Sequence, residues 1–295
     1  MEVVTPSKVR VPELGRLKQL GQKIVMLTAY DYTTARVIDA AGADVILVGD
    51  SLGTVVQGQE NTISVTLEEI IYHARIVARA AQRALVVADM PFMSFQLGIK
   101  EAVGAAGRLM KEAGVAAVKL EGGKRYASTV RAIVDAGIPV MGHIGLLPQS
   151  IHAMGGYRVQ GKRSEEANAL IEDALALQEA GAFSIVLEGI PASVAARVTA
   201  AIDIPTIGIG AGPECSGQVL VINDLMGFVH PGETHLPKFV KQYFQLTSAM
   251  TTAIKQFSEE VRNGDFPTED HAYNTGTSKQ KLSLHRGDKG RVEKT

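Results

Sequence analysis

Short uninterrupted runs of Val, Ile, Leu and Ala recur along the chain, and five of them end in a carboxylate or an imidazole. VILVG runs into Asp50 and Ser51, LVVA into Asp89, AAVKL into Glu121, PVMG into His143 and SIVL into Glu188. Runs that are apolar on both faces predict strands of a parallel sheet covered on either side by helices. The run ends lie 39, 32, 22 and 45 residues apart, and each interval has room for a helix. The same pattern predicts strands at 24–29, 44–49, 85–88, 116–120, 139–142, 184–187 and 205–209, and a less regular eighth at 224–229.

Between them, apolar residues at Leu67, Ile70, Ile71, Ala74, Val77, Ala78 and Ala81 fall on one helical face, and Thr66 with Glu69 forms a capping box before it. Further helices are predicted at 32–41, 100–113, 124–136 and 164–180, with a short helix at 8–20 outside the repeat and a last one at 237–261. EAG at 112–114, DAG at 135–137 and EAG at 179–181 each place glycine at a helix end just before a strand, as a left-handed cap requires. Eight βα units predict a closed (β/α)8 TIM barrel over 1–263. An open doubly wound sheet would more often carry a GxGxxG turn after its first strand, where this chain has LTAYDYTTA. The segment 264–295 is polar, and from Gly276 to Thr295 it holds six Lys/Arg against two Asp/Glu, which reads as a solvated tail.

Composition narrows the function without naming it. The 295 residues carry 30 Lys/Arg and 31 Asp/Glu for a formal charge of −1, so no basic field for nucleic acid is present. Cys215 is the single cysteine, which excludes an intrachain disulfide and a cysteine-based zinc cluster. No secretory signal and no run of ~18 apolar residues is found, so the expectation is a soluble cytoplasmic protein with no membrane partner.

In a barrel the strand C-termini share one mouth, where residues are usually functional. Asp50, Asp89 and Glu121 come from three consecutive strands and should therefore approach one another. Three clustered carboxylates need a compensating cation or a shared proton, and oxygen-only ligands suit Mg²⁺ or Mn²⁺. A single strand-end acid could equally cap a helix or pair with a lysine such as Lys119; three together weaken that alternative. Lys119 lies two residues before Glu121 and so faces the same side. It is either the countercharge of Glu121 or a holder of a substrate carboxylate. His143, in GHIG, is open to a plain hydrogen-bonding role. Glu188, in LEGIP, comes from the sixth strand, across the barrel from the proposed metal, a separation that suits a general base acting on a metal-bound carbon acid. IGIGAG at 207–212 could bind phosphate through its amides or could serve close packing of 215–222. The long Gly/Pro-rich loop 144–162 is a candidate lid, and Arg158, Lys162 and Arg163 make it basic, which suits either solvent or the glutamate tail of a folate.

TAYDYTTA (28–35), VGDSLGTVVQGQENT (48–62), ADMPFMSF (88–95), VKLEGG (118–123), GHIGLLPQS (142–150), GGYRVQGK (155–162), LEGIP (187–191) and IGIGAGPECSGQVLV (207–221) together resemble the ketopantoate hydroxymethyltransferase (3-methyl-2-oxobutanoate hydroxymethyltransferase) family. They run in family order over about 14–262, and the tail from Gly276 lies outside them. Asn223, where some members have histidine, is a departure away from the site. The resemblance implies a barrel of the phosphoenolpyruvate/pyruvate group, a homodecamer, and one Mg²⁺ per subunit. It also implies transfer of a hydroxymethyl group from 5,10-methylenetetrahydrofolate to 3-methyl-2-oxobutanoate through a Mg²⁺-stabilised enolate, the first step of pantothenate synthesis. Carried onto this chain, Asp50, Asp89 and Glu121 are the metal positions. Asp50, Ser51, Asp89, Lys119 and His143 meet the 2-oxo acid, and Glu188 is the proton acceptor. The rival is another metal-dependent 2-oxo acid enzyme of the same barrel group, a lyase or mutase. Such lyases commonly carry a cysteine in a mobile loop, whereas here the sole cysteine follows IGIGAG.

Overall fold

In the computed structural model, which describes residues 7–230 and 236–273, eight parallel strands close into a barrel in sequence order. They are β1 (Ile24–Thr28), β2 (Val45–Val48), β3 (Leu85–Asp89), β4 (Ala117–Glu121), β5 (Val140–Gly145), β6 (Ser184–Glu188), β7 (Thr206–Ile209) and β8 (Gly217–Leu220). The helices are α1 (Val11–Gln19), α2 (Tyr32–Ala40), α3 (Leu52–Val55), α4 (Leu67–Ala80), α5 (Ile99–Arg108), α6 (Ala127–Asp135), α7 (Ile151–Met154), α8 (Ser164–Glu179), α9 (Ala192–Ala201), α10 (Ile222–Met226) and α11 (Leu246–Asn263). The predicted TIM barrel is thus the observed fold. Two compact units are present, one formed by the described residues up to Thr247 and one by those from Ser248 onward. Most of the polar tail, including 276–295, lies outside the described residues. No helix among the described residues is long and apolar enough to cross a membrane.

Two hydrophobic layers hold the barrel. The outer one, between strands and helices, takes Val118 and Leu120 of β4, Ile46 and Val48 of β2, and Ile70, Ala74 and Val77 of α4. The inner one fills the barrel with Leu85, Val87, Ala117, Met141 and Val186, and Val9 together with Leu14 of α1 closes its lower end. Alternation along each strand produces both layers, since successive side chains face opposite ways. Capping secures the helices: Thr66 and Glu69 make the predicted reciprocal box on α4.

Polar clasps fix the bottom of the barrel. Lys18 Nζ donates to the carbonyls of Ile202 (2.7 Å) and Ile204 (3.0 Å), binding α1 beneath the end of α9. Lys23 Nζ donates to the carbonyls of Pro213 (3.0 Å) and Cys215 (2.6 Å) before β8. Asp39, near the end of α2, accepts the N–H groups of Gln82 (2.9 Å), Arg83 (3.0 Å) and Ala84 (2.7 Å) at the entrance to β3. Burial alone would raise the Asp39 carboxyl, but the Ala84, Gln82 and Arg83 amides outweigh it and hold the group below its ordinary value.

Besides the one-turn helices α3 and α7, three elements differ from the sequence reading. The eighth strand is Gly217–Leu220, not 224–229, where the chain instead forms α10 and is closed by Gly227 in the left-handed region. The true strand is inconspicuous because it begins on glycine, carries exposed Gln218 between buried Gly217 and Val219, and holds only the first half of the apolar stretch 219–222. The last helix starts at Leu246 rather than 237. Helix α9 was not anticipated, because its Ala-rich sequence follows LEGIP with little periodic contrast.

The Asp39 clasp gives a test. A carboxylate lowered in the folded state contributes stability above its unfolded value, and loses it as pH falls through the folded one. Asp39→Asn should therefore cost ~1–3 kcal/mol at pH 7 in urea unfolding. The gap to wild type should narrow by pH 3. A gap that stays constant with pH would show that the carboxylate charge contributes nothing.

Candidate active site

The alternation that builds the inner layer also places the charges. On β4, Ala117 points into the barrel, so Lys119 and Glu121 do as well, one level and two levels higher. On β3, Asp89 stands above Leu85 and Val87; on β5, His143 stands above Met141; on β6, Glu188 stands above Val186. A dry apolar floor thus carries a charged layer at the C-terminal mouth. Register brings these residues side by side: Asp89 is level with Lys119, and Glu121 with His143. His143 lies inside β5, which runs on to Gly145.

The contacts form a chain. Lys119 Nζ is 2.8 Å from Asp89 Oδ1, so its ion-pair partner is Asp89 across the strand rather than Glu121. Lys119 Nζ also lies 3.3 Å from His143 Nδ1, and His143 Nε2 lies 3.2 Å from Glu188 Oε2. The other Asp89 oxygen accepts the backbone N–H of Asp50 at 2.9 Å. Ser51 Oγ is 2.8 Å from the phenol of Tyr30, whose carbonyl in turn meets His73 Nδ1 at 2.6 Å. Close approach depends on glycine at two points. A Cβ at Gly49 would sit 2.9 Å from Ser51 Oγ and 3.3 Å from Asp89 Oδ2, and one at Gly145 (φ 98°) would strike the Glu188 carbonyl.

Burial and mutual charge set the protonation states. Asp89, Asp50, Lys119, Glu121 and His143 are all at least 96% shielded, whereas the Glu188 side chain is 17% exposed. Burial, and next the charge of Asp89, push the Asp50 carboxyl up to about 7. Burial and then Asp50 push Glu121 up as well. For Lys119 burial acts downward, but Asp89, Glu121 and Asp50 together outweigh it and hold the ammonium charged. His143 is held below its usual value by burial and by Lys119, so it is neutral. A charged Lys119 donating to Nδ1 leaves the proton on Nε2, facing Glu188. Asp89 Oδ1 and His143 Nε2 both have a close neighbour but no well-aligned hydrogen bond, so each keeps bonding capacity for a ligand.

Each residue expected from sequence thus lies at one mouth, with Ser51 next to Asp50 in the chain and Glu188 beside His143. Two members were missed. Gln149, buried in the loop after β5, donates from Nε2 to Asp50 Oδ2 (2.8 Å) and to the Met90 carbonyl (3.0 Å), and its backbone N–H reaches Glu121 Oε2 (3.0 Å). Tyr30 is likewise buried. Both stand in motifs, GHIGLLPQS and TAYDYTTA, but neither ends an apolar run. The glycines of IGIGAG are taken up by packing, with Gly208 against Cys215 and Gly212 against Ala192. In the basic loop, Arg163 pairs with Glu166 at 2.7 Å. Burial and the charges of Glu188, Asp50 and Glu121 raise the Tyr157 phenol, which places this loop within reach of the mouth's field.

Among the described residues no three of His, Cys, Asp and Glu stand as a ready-made metal cluster. A magnesium ion needs no such cage, since it keeps several waters and takes one or two carboxylates plus substrate oxygens. Asp50 and Asp89, adjacent hard-oxygen donors with a bonding site to spare on Asp89, fit that requirement, with Glu121 beside them.

A closed parallel barrel with a dry floor and a charged mouth defines a (β/α)8 enzyme. Solved barrels of similar fold include a 2,3-dimethylmalate lyase (TM-score 0.57, 18% identity, 94% of each chain covered). Another is a phosphonopyruvate hydrolase in complex with oxalate and Mg++ (TM-score 0.57, 12% identity, 88% of this chain and 92% of that one). The family model of ketopantoate hydroxymethyltransferase matches residues 8–269. The 3-methyl-2-oxobutanoate hydroxymethyltransferase of Pelobacter propionicus is 57% identical over 91% of this chain and 98% of its own, and that of Moorella thermoacetica 53% over 90% and 98%. The chain belongs to the ketopantoate hydroxymethyltransferase family and is a one-carbon transferase.

The raised Asp50 has a consequence for stability. An ordinary unfolded aspartate ionises near 4, so this group removes stability as pH rises from ~4 to ~7, and the loss is complete above that. Without added divalent ions, Asp50→Asn should stabilise the protein at pH 8 by ~1–3 kcal/mol and by much less at pH 5. Urea midpoints at the two pH values check this; a variant no more stable than wild type at pH 8 would contradict it.

Proposed function

We propose that this mouth joins the methylene of 5,10-methylenetetrahydrofolate to C3 of 3-methyl-2-oxobutanoate, giving 2-dehydropantoate for pantothenate synthesis. The observation that carries the reading is the meeting of Asp50, Asp89, Lys119, Glu121, His143 and Glu188 above one apolar floor. The family, and the oxalate and Mg++ bound by a phosphonopyruvate hydrolase of similar fold, support it.

Asp50 and Asp89, with Glu121, would hold the magnesium ion, which when bound withdraws charge from the keto group and so loosens the C3 proton. Lys119, kept charged by its three acids, sets an ammonium beside Asp89 that can receive the substrate carboxylate. Ser51, its hydroxyl fixed by Tyr30, supplies a second polar contact and so helps orient C3. Glu188 takes the proton. Its Oε2 lies 3.2 Å from His143 Nε2, which keeps the carboxylate at the same mouth as the acids. The C3 electron pair forms the new carbon–carbon bond to the methylene carbon, and water supplies its hydroxyl. Both carbon–nitrogen bonds of that methylene break, and the two folate nitrogens leave carrying the proton taken from C3 and the remaining hydrogen of the water. The buried floor keeps solvent from quenching the carbon nucleophile.

Two measurements test this. Product formation from the 2-oxo acid and methylenetetrahydrofolate should stop with chelator and return with Mg²⁺; cleavage of a 2-oxo acid skeleton without folate would favour the lyase alternative. Glu188→Gln should retain binding of the 2-oxo acid and Mg²⁺ but lose C3 hydrogen–deuterium exchange by ~10²–10⁴-fold. Exchange at the wild-type rate would remove Glu188 as the base.

A further inference from the structure

The side chain of Gln149 is spent in full on its surroundings. Its Nε2 donates to Asp50 Oδ2 and to the Met90 carbonyl, and its Oε1 accepts from Gln96 Nε2 at 3.4 Å. The backbone explains why its N–H is free to act too. Gln149 is the second residue of the 3₁₀ turn Pro148–Ser150, where early N–H groups have no partner within the turn, and this one reaches Glu121 Oε2. One buried residue of the β5–α8 loop therefore ties together acids from the ends of β2 and β4 and the loop that follows β3.

The bonds are selective among oxygens. Gln149 takes Oδ2 of Asp50 and Oε2 of Glu121, while the Asp50 N–H takes Oδ2 of Asp89. That leaves Oδ1 of Asp50, Oε1 of Glu121 (3.6 Å from His143 Nδ1) and the unaligned Oδ1 of Asp89 as the second oxygen of each acid. A carboxylate with one oxygen anchored has one rotational setting rather than many. Its remaining oxygen meets a cation with little ordering left to undergo.

We infer that Gln149 is a positioning residue for this acid cluster: it turns Asp50 and Glu121 so that one oxygen of each faces the mouth, ready for a divalent cation. The inference rests on the reading of the mouth given under Proposed function. It makes the loop after β5 part of the metal site without touching the metal, and it explains why an amide stands here. A carboxylate in its place would add a fourth charge beside Asp50, and an alkyl chain would leave the Met90 carbonyl unpaired.

The test uses the full-length protein. Gln149→Met keeps the volume and removes both donors; Gln149→Asn keeps an amide but withdraws it by one methylene and spares the fold. Mg²⁺ binding is read by calorimetry without substrate, and the Mg²⁺ concentration for half-maximal C3 exchange is read with the 2-oxo acid alone. Both variants should bind Mg²⁺ ~10–100-fold more weakly, with half-maximal exchange displaced to match. Lys18→Met, at the far end of the barrel, should lower the melting temperature and leave both Mg²⁺ readings unmoved, which separates positioning from general loosening. Mg²⁺ affinity within two-fold of wild type in folded Gln149→Asn would overturn the inference. Wild-type protein that shows no Mg²⁺-dependent exchange would instead overturn the reading of the mouth itself.

Discussion

The buried pair of Lys119 and Asp89 is the interaction on which the mouth depends. An ammonium inside a barrel would ordinarily give up its proton to escape desolvation, and a carboxylate beside two others would take one up. Set level on adjacent strands at 2.8 Å, Asp89 is the foremost of the acids that keep the Lys119 ammonium charged despite its burial. The positive charge is then shared with Glu121 and Asp50, which is why three acids can occupy one dry space. Deleting one member of such a pair is costly, about 3–5 kcal/mol, because the partner stays buried and unpaired. The neutral imidazole of His143 extends the arrangement to Glu188 without adding charge.

The lysine compensates the acids only in part, as the raised Asp50 and Glu121 show. The fold thus carries an electrostatic burden at its mouth, supported by cohesive layers elsewhere: the inner apolar floor, the outer helix layer, and the clasps of Lys18, Lys23 and Asp39 beneath. Natural enzymes commonly place strain where ligands will relieve it. Here the glycines at 49 and 145 serve the same end, since only a residue without a Cβ lets the strand ends draw this close.

Much of this was legible in the chain. Buried parallel strands announce themselves as apolar runs, and a charge at the end of such a run has few explanations, so Asp89, Glu121 and Glu188 stood out, with Asp50 just beyond β2. Period-two alternation correctly placed Lys119 on the same face as Glu121, although its ion-pair partner proved to be Asp89, because cross-strand register cannot be read along one strand. The eighth strand escaped because Gly217 to Leu220 is short and half-exposed, while the more apolar segment after it turned out helical. Gln149 escaped for a different reason. A residue in an irregular loop obeys no period, and nothing local distinguishes a glutamine that reaches three chain segments from one that reaches solvent.

The lower end of the barrel has a consequence for traffic. Val9 and Leu14 stopper the interior from below, and Lys18 and Lys23 bolt the stopper to the carbonyls around it. A tube sealed at its base has a single doorway. Whatever settles against Asp89 and Lys119 therefore comes and goes by the end where the strands finish, past the acids and the loops that follow them.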